Sequence, residues 1–363
     1  MQACPFQCIF CDQHKITGHL EALGEKDITG KISGYLYRNV KTHGRASFPS
    51  FAHATPHSPG RASFPSAAYA TPHSPGRASL LTPPHIEVGF FGGTFTGLPL
   101  SVQQHYLSVI QPYLDRGEIQ AVRLSTRPDF IDDEKLVFLS KFRVSTIELG
   151  AQSMDDEVLK KSGRGHKSAV TTSAAKKIVE SGFRLGLQMM IGLPGDTLEK
   201  SVETARSFVR LGAADVRIYP ALVIKGTALE TLFGQGNYTP LSLEEAVQWT
   251  KTILPIFENA GVNVIRVGLH PSEGLLSGQD IVAGPFHVSF KELVLTELWG
   301  DLLDHISVEN DKKQIVISVA EGQINYAVGH GKKNKHLLEQ KFEKVKFRED
   351  KNLQNRQFHV DFY

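Results

Sequence analysis

The run Val88-Gly89-Phe90-Phe91-Gly92-Gly93-Thr94 is a short apolar stretch that ends in a pair of glycines. Similar runs rich in apolar and β-branched residues follow at about 121–125, 145–149, 184–191, 214–219 and 262–266. Helical periodicity fills the segments between them, at about 101–115, 132–141, 154–161, 167–181, 197–211 and 242–260. Strands that alternate with helices predict a parallel α/β sheet. Continuous apolar runs fit strands that are buried on both faces.

Glycine or polar motifs come directly after several of these runs. Gly92-Gly93 follows the first run, Arg127 the second, Gln152 the third and the segment 192–195 the fourth. Active sites of parallel α/β barrels lie at the carboxyl ends of the strands. We therefore expect these motifs to gather at one rim of a TIM-like barrel.

All three cysteines of the chain lie near its start, in Cys4-Pro5-Phe6-Gln7-Cys8-Ile9-Phe10-Cys11. A 4Fe–4S cluster usually takes four cysteine thiolates, so a cluster held by these three would keep one iron open for a small molecule. Together with His14, the same cysteines also form a four-ligand set for tetrahedral zinc. The spacing alone leaves both readings open.

The cysteine triplet with its aromatic Phe10 resembles the cluster loop of radical S-adenosylmethionine (radical SAM) enzymes, and the turn at 88–96 resembles their glycine-rich SAM-binding segment. The ordered motifs that follow resemble the radical SAM core of the Elongator catalytic subunit, a tRNA uridine-modifying enzyme, and more distantly oxygen-independent coproporphyrinogen oxidase. Those motifs lie at 125–129, 148–153, 163–166, 189–195 and 217–220.

The resemblance implies a cofactor set and the residues that bind it. Cys4, Cys8 and Cys11 would hold three irons of a 4Fe–4S cluster, and S-adenosylmethionine would bind the fourth iron and be cleaved reductively to a 5′-deoxyadenosyl radical. The predicted cofactor-binding residues are Phe10, Gly92, Gly93, Thr94, Ser125, Gln152, Arg164 and Gln188. Gln188 is included because the strand phase turns it toward the barrel mouth. Thr94 and Ser125 stand where relatives carry Glu, so a charged acceptor is replaced by a hydroxyl at both positions.

The chain divides into three predicted parts. A partial (β/α)6-type barrel spans 1–43 and 82–272, and its first strand is truncated because only three residues precede Cys4. Residues 44–81 hold two copies of a 16-residue unit and the start of a third. This unit is rich in Gly, Pro, Ser and Ala, which predicts a disordered insertion in a surface loop. Residues 273–363 predict a small α+β domain.

A glycine loop at 329–332 marks the small domain. The segment 323–334 with its flanking elements resembles half of a KH domain, a module that clamps the backbone of single-stranded RNA. Lys332 stands where the loop usually has its second glycine. Between residues 332 and 348 there are seven Lys or Arg against two Glu. A basic stretch is often only a solvated surface, so both RNA contact and plain surface remain open.

The sequence as a whole favours a radical SAM enzyme that acts on tRNA or another RNA and takes its electron from an external donor. The alternatives are coproporphyrinogen-oxidase-like chemistry on a small molecule, and a non-catalytic RNA-binding protein with structural zinc. No apolar run approaches the ~20 residues of a membrane span. Reduced cysteines without a signal peptide favour the cytoplasm.

Overall fold

The computed structural model describes residues 8–11, 24–43, 85–269, 272–308 and 313–363. Cys4, His14, the truncated strand expected before Cys4 and the repeats at 44–81 lie outside these residues. The predictions that concern them stay predictions.

Six parallel strands form the main sheet, and their order across the sheet is their order in the chain. The strands are β1 (Glu87–Phe90), β2 (Ala121–Thr126), β3 (Val144–Gln152), β4 (Arg184–Ile191), β5 (Asp215–Pro220) and β6 (Asn263–Val267). Parallel pairing places Val88 beside Val122 at one edge and Ile218 beside Val267 at the other. All six lie where the apolar runs predicted them, which confirms the α/β class.

Helices connect these strands and cover the sheet. They are α1 (Glu25–His43), α2 (Leu100–Asp115), α3 (Asp133–Ser140), α4 (Asp156–Lys161), α5 (Ser168–Glu180), α6 (Leu198–Arg210), α7 (Ala228–Gly234) and α8 (Leu243–Asn259). Several begin at a capping side chain, such as Asp155 before α4 and Ser242 before α8. Each of these caps accepts a hydrogen bond from a backbone N–H that would otherwise lack a partner at the helix start. The helix α7 was not predicted from the sequence.

The sheet is curled, and one side chain demonstrates it. Arg123 on β2 donates to Glu87 on β1 at 2.7 Å, to Glu148 on β3 at 2.6 Å and to Asp215 on β5 at 3.0 Å. In a flat sheet β2 and β5 would lie roughly 14 Å apart, at about 4.8 Å per strand, which is too far for these side chains to span. The contact therefore requires a concave inner face, the partial barrel that the sequence predicted.

Glu148 lies at the centre of this inner face with 1% of its surface exposed. Arg217 donates to it through Nε at 2.6 Å and through Nη2 at 3.1 Å. A Cβ at Gly186 on β4 would lie 2.5 Å from the Glu148 Cγ, so only glycine leaves room for the carboxylate there. Burial acts to raise the pKa of Glu148, but the charges of Arg217 and Arg123 outweigh it and hold the pKa below its usual value.

A second, smaller core follows the barrel. Its elements are α10 (Phe290–Asp304), β7 (Gln314–Ala320), α11 (Ile324–Val328), α12 (Lys333–Glu339), β8 (Lys344–Asp350) and β9 (Phe358–Phe362). The short helix α9 (Glu273–Leu276) precedes them and packs through Leu275 against Leu222 and Ile224 instead. β7 pairs in parallel with β8 and antiparallel with β9. This confirms the predicted α+β character, although β9 was not predicted, nor was the antiparallel pair Val223–Ile224 and Ile281–Ala283. No helix in the described ranges is both long enough and apolar enough to cross a membrane.

We expect Glu148→Gln to lower the free energy of unfolding by about 3–5 kcal/mol, because it leaves two buried guanidinium groups without their shared charge. Urea unfolding measures this loss. The matched control is Glu157→Gln, which breaks the exposed pairs with Lys161 and Lys200 and should cost at most about 1 kcal/mol. Equal effects of the two changes would show that the inner network does not stabilise the fold.

Asp215 gives the fold a predicted sensitivity to acid. Burial acts to raise its pKa, but the hydrogen bond from Arg184 and the charge of Arg123 outweigh it and lower the pKa from 3.8 to about 2. A carboxyl with a depressed pKa contributes its full stability above its unfolded pKa and loses that contribution as the pH falls toward its folded pKa. Wild-type protein should therefore lose more stability than Asp215→Asn between pH about 4 and about 2. Parallel pH profiles in urea unfolding would contradict this assignment.

Candidate functional site

The segment that carries Cys8 is tied down at the rim of the sheet. The Cys11 amide donates to the Cys8 carbonyl at 3.0 Å and closes a turn. Ile9 donates to the Ser162 carbonyl just beyond α4 at 3.3 Å and accepts from the Leu229 amide of α7 at 2.7 Å. The Cys8 side chain is consequently fixed and only 4% exposed.

Two arginines point at the sulfur of Cys8. Arg164 Nη1 lies 3.1 Å from the Cys8 Sγ, and Arg127 Nη1 lies 3.5 Å from it. Both arginines are buried, with 4% and 3% of their surfaces exposed. Both guanidinium groups thus direct N–H donors at the sulfur, the atom through which a cysteine binds metals.

Gln152 and Arg164 leave buried polar atoms unused beside this sulfur. Within the described part of the chain, Gln152 Oε1 and Arg164 Nε have no hydrogen-bond partner. A Cβ at Gly150 would lie 3.1 Å from Gln152 Nε2 and 3.7 Å from Arg164 Nη2, so the glycine leaves room for both side chains. One unused acceptor and one unused donor suit a polar ligand that has groups of both kinds, as the amino and carboxylate groups of SAM are.

Ser125 and Gln188 connect the rim with the inner charge network. Gln188 Nε2 lies 3.2 Å from the Ser125 Oγ and 3.0 Å from the Glu148 Oε2. The structure therefore brings these two predicted residues together, and the carboxylate of Glu148 orients the amide. Among the described residues the Ser125 Oγ acts only as an acceptor, from Gln188.

The other predicted residues lie in separate parts of the structure. Gly92 has φ +91°, a conformation that L side chains rarely adopt, and Thr94 is buried at the start of a short 3-10 turn. Phe10 packs in an apolar cluster with Leu193 and Leu229. Of the predicted metal ligands, Cys8 and Cys11 lie in the described turn. Among the described residues no group of three His, Cys, Asp or Glu side chains could hold a metal.

Sequence reasoning missed the part played by Arg127 and its neighbours. Asp129 accepts from Arg127 Nε at 2.9 Å and from its Nη2 at 2.8 Å. His166 lies close by, and burial together with the charge of Arg164 lowers its pKa to about 4, so the imidazole is neutral at pH 7. All three residues belong to motifs that the sequence had singled out, but Arg127 also meets Cys8 and the Arg164 carbonyl, which are 119 and 37 residues away in the chain.

A separate cleft of about 330 Å³ opens beside the loop after β4. It is lined by that loop (192–196) and by Tyr238, Trp249 and Lys161, among others. Asp196 anchors the loop through hydrogen bonds from the Gly192 amide and the Ser201 hydroxyl. None of the predicted cofactor residues lines this cleft.

Comparison with known proteins agrees with this geometry. Residues 81–208 match the model of the radical SAM superfamily, and residues 214–299 match that of the radical SAM C-terminal domain. The tRNA uridine(34) acetyltransferase of Methanocaldococcus infernus is 28% identical over 196 residues, which are 47% of this chain and 36% of that protein. The heme chaperone HemW of Bacillus subtilis is 24% identical over 54% of this chain and 53% of its own length.

The solved structure of M. infernus Elp3 with an N-terminal deletion superposes with a TM-score of 0.51 at 26% identity, covering 59% of this chain and 54% of that one. The chain thus spans about a third to a half of the relatives it matches. The two family models together cover more than half of the 363 residues and run through β1–β6, the helices between these strands, and the rim residues Arg127, Gln152 and Arg164. The chain is a member of the radical SAM superfamily.

Proposed function

We propose that this protein is a radical SAM enzyme that modifies RNA, with tRNA as its substrate class. The observation that carries the catalytic part is the buried Cys8 sulfur, which faces two guanidinium groups and the unused polar atoms of Gln152 and Arg164. The similarity to a tRNA uridine(34) acetyltransferase supports RNA as the substrate.

In this proposal Cys4, Cys8 and Cys11 hold a 4Fe–4S cluster and the rim residues hold SAM. When bound, the cluster would supply one electron, taken from an external donor, for reductive cleavage of the sulfonium C5′–S bond of SAM, which would yield methionine and a 5′-deoxyadenosyl radical. Arg164 would donate to the SAM carboxylate through its Nε, the guanidinium donor that has no hydrogen-bond partner among the described residues. Ser125, oriented through Gln188, would meet a ribose hydroxyl. Gly92 and Gly93 would let the backbone approach the amino acid end of SAM.

The RNA part of the proposal rests on the loop Gly329–Lys332. Lys332 has φ +62°, so it adopts the left-handed conformation that a glycine would favour at this place in the loop. Its side chain is exposed and makes no ion pair among the described residues, and the same holds for Lys344 and Lys346. Three exposed, unneutralised lysines on this module would favour contact with an RNA backbone.

The decisive test of the catalytic part is metal content. Anaerobically reconstituted protein should hold about four irons and four sulfides per chain, and Cys8→Ala should lose them. Gln152→Ala is the matched rim variant. It should keep the iron and weaken SAM binding by about 1–3 kcal/mol, the cost of leaving a hydrogen bond unmade. One zinc per chain, with no iron after reconstitution, would favour the non-catalytic RNA-binding protein instead.

Salt dependence tests the RNA part. Each phosphate contact with a single strand contributes about −0.7 to the slope of log K against log salt. Lys332→Glu should weaken tRNA binding and make this slope shallower by about that amount. Lys341→Glu is the control, since Lys341 already pairs with Asp304 at 3.0 Å and should contribute little. If wild type and Lys332→Glu bind tRNA with the same affinity and slope, the loop is not an RNA contact.

A second candidate is radical chemistry on a small molecule, as in coproporphyrinogen oxidase. The similarity to the heme chaperone HemW, whose name indicates a small-molecule ligand, supports it. A protein that carries cluster and SAM but does not bind tRNA at low salt would move this candidate ahead.

A further inference from the structure

Arg127 contacts three protein groups around the candidate site, and none of these contacts depends on a role in SAM binding. Its Nη1 lies 3.5 Å from the Cys8 sulfur, and its Nη2 donates to the Arg164 carbonyl oxygen at 2.5 Å. Its Nε and Nη2 also form a bidentate pair with Asp129. All three nitrogens of the guanidinium, Nε, Nη1 and Nη2, therefore contact protein groups.

These contacts fix the guanidinium plane independently of the sulfur. A bidentate carboxylate pair holds an arginine in one orientation, and the backbone carbonyl of residue 164 adds a third anchor. Arg164 is held in a similar way, because its Nη2 donates to the Gly150 carbonyl. Neither arginine would need to reorient when the electron count of a group bound to Cys8 changes.

Hydrogen bonds to the cysteine sulfurs and the net charge nearby set the reduction potential of an iron–sulfur cluster. Adding an electron makes the cluster more negative, so a fixed N–H donor and a buried positive charge stabilise the reduced state more than the oxidised state. A donor already aimed at the sulfur adds no reorganisation cost to that step.

We infer that Arg127, locked by Asp129, is a positioning residue that raises the reduction potential of the cluster at Cys8. The inference rests on the proposed function, since it needs a cluster there. It assigns to Arg127 a task distinct from SAM binding: Arg127 makes the cluster easier to reduce and holds Arg164 through its carbonyl oxygen.

The test is a potentiometric titration of the full-length, anaerobically reconstituted protein with dithionite, followed by electron paramagnetic resonance of the reduced cluster. Arg127→Met should retain its iron and sulfide yet have a lower midpoint potential. We expect about tenfold less reduced cluster at a given potential, which is ~59 mV for a one-electron couple. Arg184→Met is the control. Arg184 lies at the amino end of β4, away from the rim, and pairs with Asp215, so its replacement should leave the midpoint potential unchanged.

The outcomes separate the two proposals. If the wild-type protein takes up no iron, the proposed function fails and this inference fails with it. If wild type and Arg127→Met both carry the cluster with equal midpoints, only the inference is wrong. Should Arg127→Met lose its cluster, Arg127→Lys decides. Lysine keeps the charge but has a single ammonium that cannot reproduce the planar set of bonds, so its midpoint should also fall. A midpoint equal to that of wild type would overturn the inference.

Discussion

The guanidinium of Arg123 is the group on which the curvature of the sheet depends. It contacts carboxylates from three strands, Glu87, Glu148 and Asp215, inside the concave face. Burying so many charges is costly and is offset only when every charge has good partners. Here Glu148 receives donors on both oxygens, from Arg123, Arg217 and Gln188. The charges can be satisfied only in the curled sheet, so the network selects that shape over a flat one.

Curvature then determines where the functional residues lie. Arg123, Ser125 and Arg127 are two residues apart, so they project to the same side of β2 and its continuation. Arg123 donates to the buried Glu148, Ser125 accepts from Gln188, and Arg127 lies within hydrogen-bond distance of the Cys8 sulfur at the rim. The register of one strand therefore links the interior to the candidate site, and a shift by one residue would turn all three outward.

Local patterns predicted the elements well because most residues of β1–β5 are buried and each helix buries only one face, so both produce a recognisable period in the sequence. The unpredicted elements depend on distant partners. Val223–Ile224 is a strand only because it pairs with Ile281–Ala283, and Phe358–Phe362 only because it pairs with β7. The same limit applies to the site, where Arg127 meets Cys8 across 119 residues of chain.

Charge counting along the chain is limited for the same reason. The seven basic residues between 332 and 348 left RNA contact and a plain solvated surface both open, and four of them are paired in the fold. Lys333 and Lys341 pair with Glu297 and Asp304 of α10, and Lys335 and Arg348 pair with Glu339 and Asp361. Three of these four acids lie outside the basic stretch. The sequence alone therefore overstated the charge available for a partner and did not identify which lysines carry it.

The helix α10 joins the two hydrophobic cores, because it contributes buried residues to both. Its first half supplies Phe290 and Val294 to the barrel core, and its second half supplies Trp299 and Leu303 to the smaller core. Between them Thr296 accepts from the Asn334 side chain through its carbonyl and from the His330 amide through its hydroxyl. The glycine loop is thus bonded to the helix that anchors it to the barrel. The continuous helix therefore fixes the distance between the glycine loop and the rim of the sheet. A flexible linker in its place would let the loop bind an RNA strand without orienting that RNA toward the rim.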